Sequence, residues 1–196
     1  EILRCLVGSE MCIRDRYDIV STNLAIPLFC PNCWINDPNG FIWYKGQYHL
    51  FYQCFPYAPQ WGRMHWGHAV SKDLVNWEEK GIALYPTKTD DRSGCFSGSA
   101  VKQDGTLYLY YTGVNYLEEN PEDINQCRND QFLAAQMMIS SDDGMTFDNV
   151  KRKKTVIPPI AEEAIGSKTH TRDPKVWRGK DAWYLVLGSS VDHKGR

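Results

Sequence analysis

The sequence predicts an all-β protein built as a propeller, on three observations. Aromatic residues are concentrated in short alternating runs, turn residues separate those runs, and the chain repeats itself. Seven Trp, eleven Tyr and seven Phe make up 13% of the 196 residues, and no long amphipathic helical pattern competes with them. Gly40 to Tyr44 runs into the turn Lys45-Gly46-Gln47, and Tyr48 to Gln53 follows, a hairpin with aromatic residues on alternating faces. Thr106 to Thr112 follows Asp104-Gly105 in the same way, and Ala182 to Gly188 follows Gly179-Lys180-Asp181. A second repeat overlies the first. Ser71, Asp73 and Trp77 recur as Ser141, Asp143 and Phe147, each set preceded by a strand of small and apolar residues, Gly67 to Val70 and Ala134 to Ile139.

A unit of roughly 60 to 75 residues with about four strands has the radial logic of a propeller blade. Residues 34–85 read as one blade, 95–150 as a second and 171–196 as the start of a third. The same periodicity also suits a β-sandwich, so the choice between the two rests on the motifs.

Composition excludes several classes. With 42% hydrophobic and 23% charged residues the chain is globular rather than disordered, and its length is that of one domain. Lys and Arg number 22 against 24 Asp and Glu, a net charge of -2, and the short basic run from Lys151 to Lys154 reads as a solvated turn. Nucleic acid is therefore not expected as a partner. No apolar stretch reaches the roughly 18 residues that cross a bilayer, so no membrane association is expected either. Seven cysteines without disulfide-like spacing suit a reducing cytoplasm. Glu1 to Arg16 lacks periodicity, and Met11 to Asp15 back-translates to a sequence resembling a transposon-end adapter. That segment is expected to lie outside the biological fold, which leaves residues 17–196 as a partial propeller domain whose true termini lie elsewhere.

Two carboxylates stand out. In Trp34-Ile35-Asn36-Asp37-Pro38-Asn39-Gly40 an aspartate opens the first repeat, and Arg172-Asp173-Pro174 opens the third in the same manner. Asp-Pro-Asn-Gly alone is a common β-turn. Two such aspartates at matching places in a repeat would both lead the innermost strand of a blade and point toward the axis. Phe96-Ser97-Gly98-Ser99 holds the equivalent place in the second repeat and adds hydroxyl donors. Cys30-Pro31-Asn32-Cys33 has the spacing of half a metal or redox site but no second pair nearby, and His65 and His68 read as packed rather than ligating, so no metal is expected.

WINDPNG, HLFYQ, QWGRMHWGHAVSKDLVNW, CFSGSAV and RDPKVW, in this order, resemble glycoside hydrolase family 32, the invertase, sucrose-6-phosphate hydrolase and fructanase group. The resemblance covers residues 30 to 190. It implies a five-bladed β-propeller followed by a β-sandwich, of which this chain would hold about two and a half blades. It also implies cofactor-free, retaining hydrolysis of terminal β-fructofuranosyl bonds in sucrose, sucrose 6-phosphate or related fructosides. By position, Asp37 matches the nucleophile and Asp173 the transition-state stabiliser. Asn36, Gln53, Trp61, Phe96, Ser97 and Arg172 match the walls of the fructose pocket, and Arg172 would help keep the neighbouring carboxylates charged. The family's general acid is a glutamate in a Glu-Cys motif beyond the arginine-aspartate pair. Nothing here matches it, because Glu162 and Glu163 precede Arg172, so the chain alone is expected to be inactive. Cys33 departs from the family, which usually has glycine before the tryptophan. Rival readings are a fructosyltransferase, a family 43 type arabinanase or xylosidase, and a non-catalytic sugar-binding propeller.

Overall fold

The computed structural model describes residues 33–162, 164–191 and 194–195. The Glu1 to Arg16 segment, Cys30 and Glu163 lie outside the described residues. Strands β1 (Trp34–Tyr44), β2 (Gln47–Phe55), β3 (His65–Ser71) and β4 (Trp77–Leu84) form one antiparallel sheet in that spatial order. Strands β5 (Gly94–Gln103) and β6 (Thr106–Tyr116) open a second sheet. The chain then makes a small hairpin, β7 (Glu119–Asn120) and β8 (Asp123–Cys127), before β9 (Phe132–Ser141) and β10 (Lys154–Ile157) complete that sheet in the order β5-β6-β9-β10. A third sheet begins with β11 (Arg172–Arg178) and β12 (Trp183–Gly188), and a short pair, β13 (Ser190–Val191) and β14 (Lys194–Gly195), follows.

This order separates the two architectures that periodicity left open. A sandwich sends successive strands between two sheets, whereas each four-stranded sheet here is a meander whose neighbours follow chain order, as in propeller blades. The first strands of the three sheets lie side by side, with β5 against β1 on one flank and β11 on the other. Strands drawn together at their first members are inner strands around an axis.

Local chemistry accounts for the turns. Lys45 and Gly46 have φ of 46° and 83°, and Asp104 and Gly105 have 49° and 79°. Two consecutive left-handed residues are what a two-residue hairpin needs to match strand twist. The repeated Ser-x-Asp motif is also a turn. Ser71 Oγ accepts from the N–H of Asp73 and Leu74, and Asp73 Oδ1 from those of Val75 and Asn76. Ser141 and Asp143 repeat the pattern, holding Gly144, Met145 and Thr146.

The core lies between the first two blades. Tyr44, Phe51, Trp66 and Leu84 of the first face Leu107, Leu109, Tyr111, Met137, Ile139 and Phe147 of the second. Trp66 and Phe51 are fully buried, each worth about 1.5–3 kcal/mol by area removed from water. Phe147 stands edge-on to Phe51 at 5.6 Å. His68 stacks on Phe51 at 4.4 Å and its Nε2 meets His49 Nδ1 at 3.0 Å, while His65 bonds the carbonyl of Arg63, so the histidines pack.

Two sequence expectations need correction. The second blade does not end at residue 150, because Lys154–Ile157 pairs with β9 as its outer strand. The basic run before it is not wholly a solvated turn, since the Lys153 side chain is fully buried against Asp91. Charge in the sequence hid a residue that crosses from one blade to the other.

Candidate active site

All three inner strands break register around the matching residue, the third one residue further along than the first two. The ladder skips between Ile35 and Pro38, between Cys95 and Gly98, and between Arg172 and Lys175. Such bulges turn a side chain away from the pleat. The residues they carry are Asp37, Ser97 and Asp173, one in each blade. Gly98 occupies the position of Pro38 and Pro174, where a Cβ built on its backbone would meet the Tyr110 carbonyl oxygen at 1.9 Å.

Ser97 Oγ donates to Asp37 Oδ2 at 2.5 Å, joining the first and second slots directly. Behind Asp37 runs a chain of donors. Trp34 Nε1 donates to Asn36 Oδ1 at 3.0 Å, Asn36 Nδ2 to Gln53 Oε1, and Gln53 Nε2 to the Cys95 carbonyl at 3.4 Å. Trp66 Nε1 fixes the Phe96 carbonyl at 3.0 Å, and Trp61 stands edge-on to Phe96 at 6.0 Å.

Asp173 adopts φ of 60°, a left-handed conformation uncommon for a residue with a side chain. Loss of water around its carboxyl raises its pKa; Arg172 pulls the value down, and the Asp37 carboxylate pushes it up again. The net direction is upward, so the expected help from Arg172 is present but outweighed. The electrostatic effect of Asp37 on Asp173 joins the third slot to the first.

Trp61, Phe96 and Arg172 line a cavity of about 420 Å³. Its other walls are Tyr116, Phe132 and His170, with Gln126 and Cys127 from the end of the inserted hairpin and Asp130 from the turn that follows it. Asn36, Asp37, Gln53, Ser97 and Asp173 are not among these walls; Asp37, Ser97 and Asp173 occupy the axial slots, and Asn36 and Gln53 belong to the hydrogen-bonded chain beside Asp37. The hairpin residues were absent from the sequence reading, since a polar run such as Asp123 to Asp130 gives no sign of folding back over an aromatic pocket. Cys33 is buried with Tyr52, Cys54 and Ala69 beneath the first blade.

Two carboxylates are thus held at equivalent places around an axis, one bonded by a hydroxyl and one partly desolvated, beside an aromatic-walled cavity. Residues 28–196 match the N-terminal domain of the glycosyl hydrolases family 32, and the chain belongs to that family. It is 45% identical over 164 residues to a sucrose-6-phosphate hydrolase of Zymomonas mobilis, covering 82% of this chain and 29% of that protein. To a raffinose invertase of Escherichia coli it is 44% identical over 160 residues, covering 81% and 30%. Among solved structures it is similar to a Bombyx mori GH32 beta-fructofuranosidase, with a TM-score of 0.69, 35% identity and coverage of 96% of this chain and 39% of that one. Fructan 1-exohydrolase IIa from Cichorium intybus is similar at a TM-score of 0.65 and 33% identity, covering 84% and 29%. The chain spans about 30% of the length of the curated relatives it matches.

Proposed function

We propose that this chain carries the nucleophile side of a retaining β-fructofuranosidase site whose general acid belongs to sequence beyond Arg196. The observation that carries the reading is the bond from Ser97 to Asp37 at equivalent axial slots, with Asp173 on the corresponding bulge of the third blade. In this reading an Asp37 oxygen attacks C2 of a terminal fructosyl unit. The C2–O bond to the leaving sugar breaks and its oxygen takes a proton from the acid. Water then cleaves the fructosyl ester, returning the carboxylate. Ser97 orients Asp37 so that one lone pair faces the sugar. Asp173, backed by Arg172, binds fructose hydroxyls as charge develops, and Asn36, Gln53, Trp61 and Phe96 shape the pocket.

Sucrose or a related fructoside is the proposed substrate, which the names of the sucrose-6-phosphate hydrolase and raffinose invertase relatives support. A cytoplasmic setting is proposed from the cysteine usage, and no helix among the described residues is long and apolar enough to cross a membrane. The test uses a protein of its relatives' full length carrying this segment, given sucrose, raffinose and an arabinoside. Fructose should appear from the first two, initially as the β-anomer. Asp37→Asn should lower kcat by about 10³-fold or more with the fold intact. Release of arabinose alone, or more than a tenth of the parent's turnover in Asp37→Asn, would overturn the reading.

A further inference from the structure

The bulge that carries Asp173 leaves ladder groups free, and the second blade binds the Asp173 N–H and the Pro174 carbonyl. Asp173 and Pro174 lie between the paired residues Arg172 and Lys175, opposite the single residue Leu187. Pro174 has no N–H to donate. Groups in and beside the bulge are bound by three side chains of the second blade. Thr112 Oγ1 accepts from the Asp173 N–H at 3.0 Å. Ser99 Oγ donates to the Pro174 carbonyl at 2.8 Å and accepts from the Val176 N–H at 3.1 Å. Gln136 Nε2 donates to the Thr171 carbonyl at 2.8 Å, and its Oε1 accepts from Thr112 Oγ1 at 2.9 Å.

Donors and acceptors balance. Each hydroxyl gives its one hydrogen and accepts one, and the Gln136 amide is oriented by a donor on one side and an acceptor on the other. Ser99, Thr112 and Gln136 are all buried, at 5%, 0% and 1% exposure, so no water can substitute for a lost partner.

The arrangement is also written into the repeat. Thr112 stands on its blade where Gln53 stands on the first, and Gln53 Nε2 reaches the Cys95 carbonyl, two residues before Ser97, as Gln136 reaches Thr171, two residues before Asp173. Asn39, two residues after Asp37, accepts from the Gly98 N–H, as Ser99, two after Ser97, accepts from Val176. Each blade grips the inner strand of the next on both sides of its axial residue. The third blade receives the more complete grip, at the residue with the left-handed backbone.

We propose that Ser99, Thr112 and Gln136 are positioning residues that hold Asp173 in its left-handed conformation and so set where its carboxylate meets the sugar. The inference rests on the reading of Asp173 given above. Small displacements of a group acting on a transition state cost rate far more than binding. Thr112→Val keeps the shape of the side chain and removes the acceptor for the Asp173 N–H. In a protein of its relatives' full length it should lower kcat on sucrose by about 10- to 100-fold with KM changed less than about threefold, while Thr112→Ser, which restores the hydroxyl, should stay within about threefold of the parent in kcat. Rates are taken per folded molecule. A merely structural role would lower the melting temperature and leave that rate alone. If Thr112→Val does not fold, Ser99→Ala, a much smaller change, should show about a tenfold fall in kcat. A folded Thr112→Val within twofold of the parent, or failing that a Ser99→Ala within twofold, overturns the proposal. Asp173→Asn in the same protein separates the two readings. If it leaves kcat unchanged, the proposed role of Asp173 fails; if it abolishes turnover while Thr112→Val does not, only the positioning role fails.

Discussion

Lys153 Nζ and Asp91 Oδ2 meet at 2.5 Å with both side chains fully buried. Asp91 lies in the connection from the first blade to the second. It also accepts from the Tyr111 hydroxyl at 2.7 Å and from the backbone N–H groups of Thr87 and Lys88. Lys153 donates to the Tyr85 carbonyl and sits over the ring of Tyr111 at 5.6 Å. Removing one partner strands a buried charge. Lys153→Met should cost about 3–5 kcal/mol, and adding Asp91→Asn should recover part of it. Urea unfolding midpoints measure both, and equal loss in the single and double variants would contradict the account.

A matched pair of turns gives a second expectation. Leu74 has φ of 66° at the place where the second repeat has Gly144, with φ of 77°. Leu74 is exposed and gains little from its side chain there. Leu74→Asn should stabilise by about 0.5–1 kcal/mol, since asparagine tolerates the left-handed region. Gly144→Ala should do the opposite by more than about 1 kcal/mol, because its Cβ would lie 2.7 Å from the Tyr44 ring as well as at positive φ. Thermal melts would show whether the two shifts have opposite signs.

The His49–His68 contact sets an acid-sensitive term. Burial lowers the pKa of His68 from the ordinary 6.5 to about 3, with His49 and Lys80 adding to the fall, and burial lowers His49 as well. Below pH 6.5 the unfolded chain takes up protons that the folded chain refuses. Stability is therefore full above pH 6.5 and declines as pH falls toward about 3, by about 1.4 kcal/mol per pH unit for each such proton. Replacing His68 with Gln should flatten the curve of unfolding free energy between pH 6.5 and 4. A wild-type curve already flat there would show that the imidazoles protonate in place.

The Arg172 guanidinium lowers the Asp173 pKa, against the upward push of burial and of Asp37. Arg172→Gln should therefore raise that pKa further. If Asp173 must be ionised to act, the acid limb of kcat/KM in the full-length protein moves to higher pH. A limb that stays in place while activity falls would assign Arg172 to sugar contact alone.

The parts of the fold legible in the sequence are those where chemistry is local. The β1–β2 hairpin announces itself through alternating aromatics about Lys45-Gly46, and the Ser-x-Asp turns satisfy their own backbones within a few residues. Asp37 and Asp173 were legible because a repeat places them alike. Thr112 and Gln136 were not, since a polar residue within a strand reads as facing solvent, and only the packing of blades shows that both are buried. Lys153 failed to show for the same reason: its partner lies 62 residues away in the connection between the first two blades.

The grips along the axis all run forward in the chain, and this gives the site a history in time. Asn39 waits for Gly98, 59 residues later, and Ser99 for Val176, 77 residues later. At a synthesis rate of about 5–20 residues per second, each wait is about 3–15 seconds. The partners that anchor the first slot are thus complete in the chain before those of the third have been made. A chain halted before Val176 would hold the Asp37 slot while the grip on the strand of Asp173 is still incomplete.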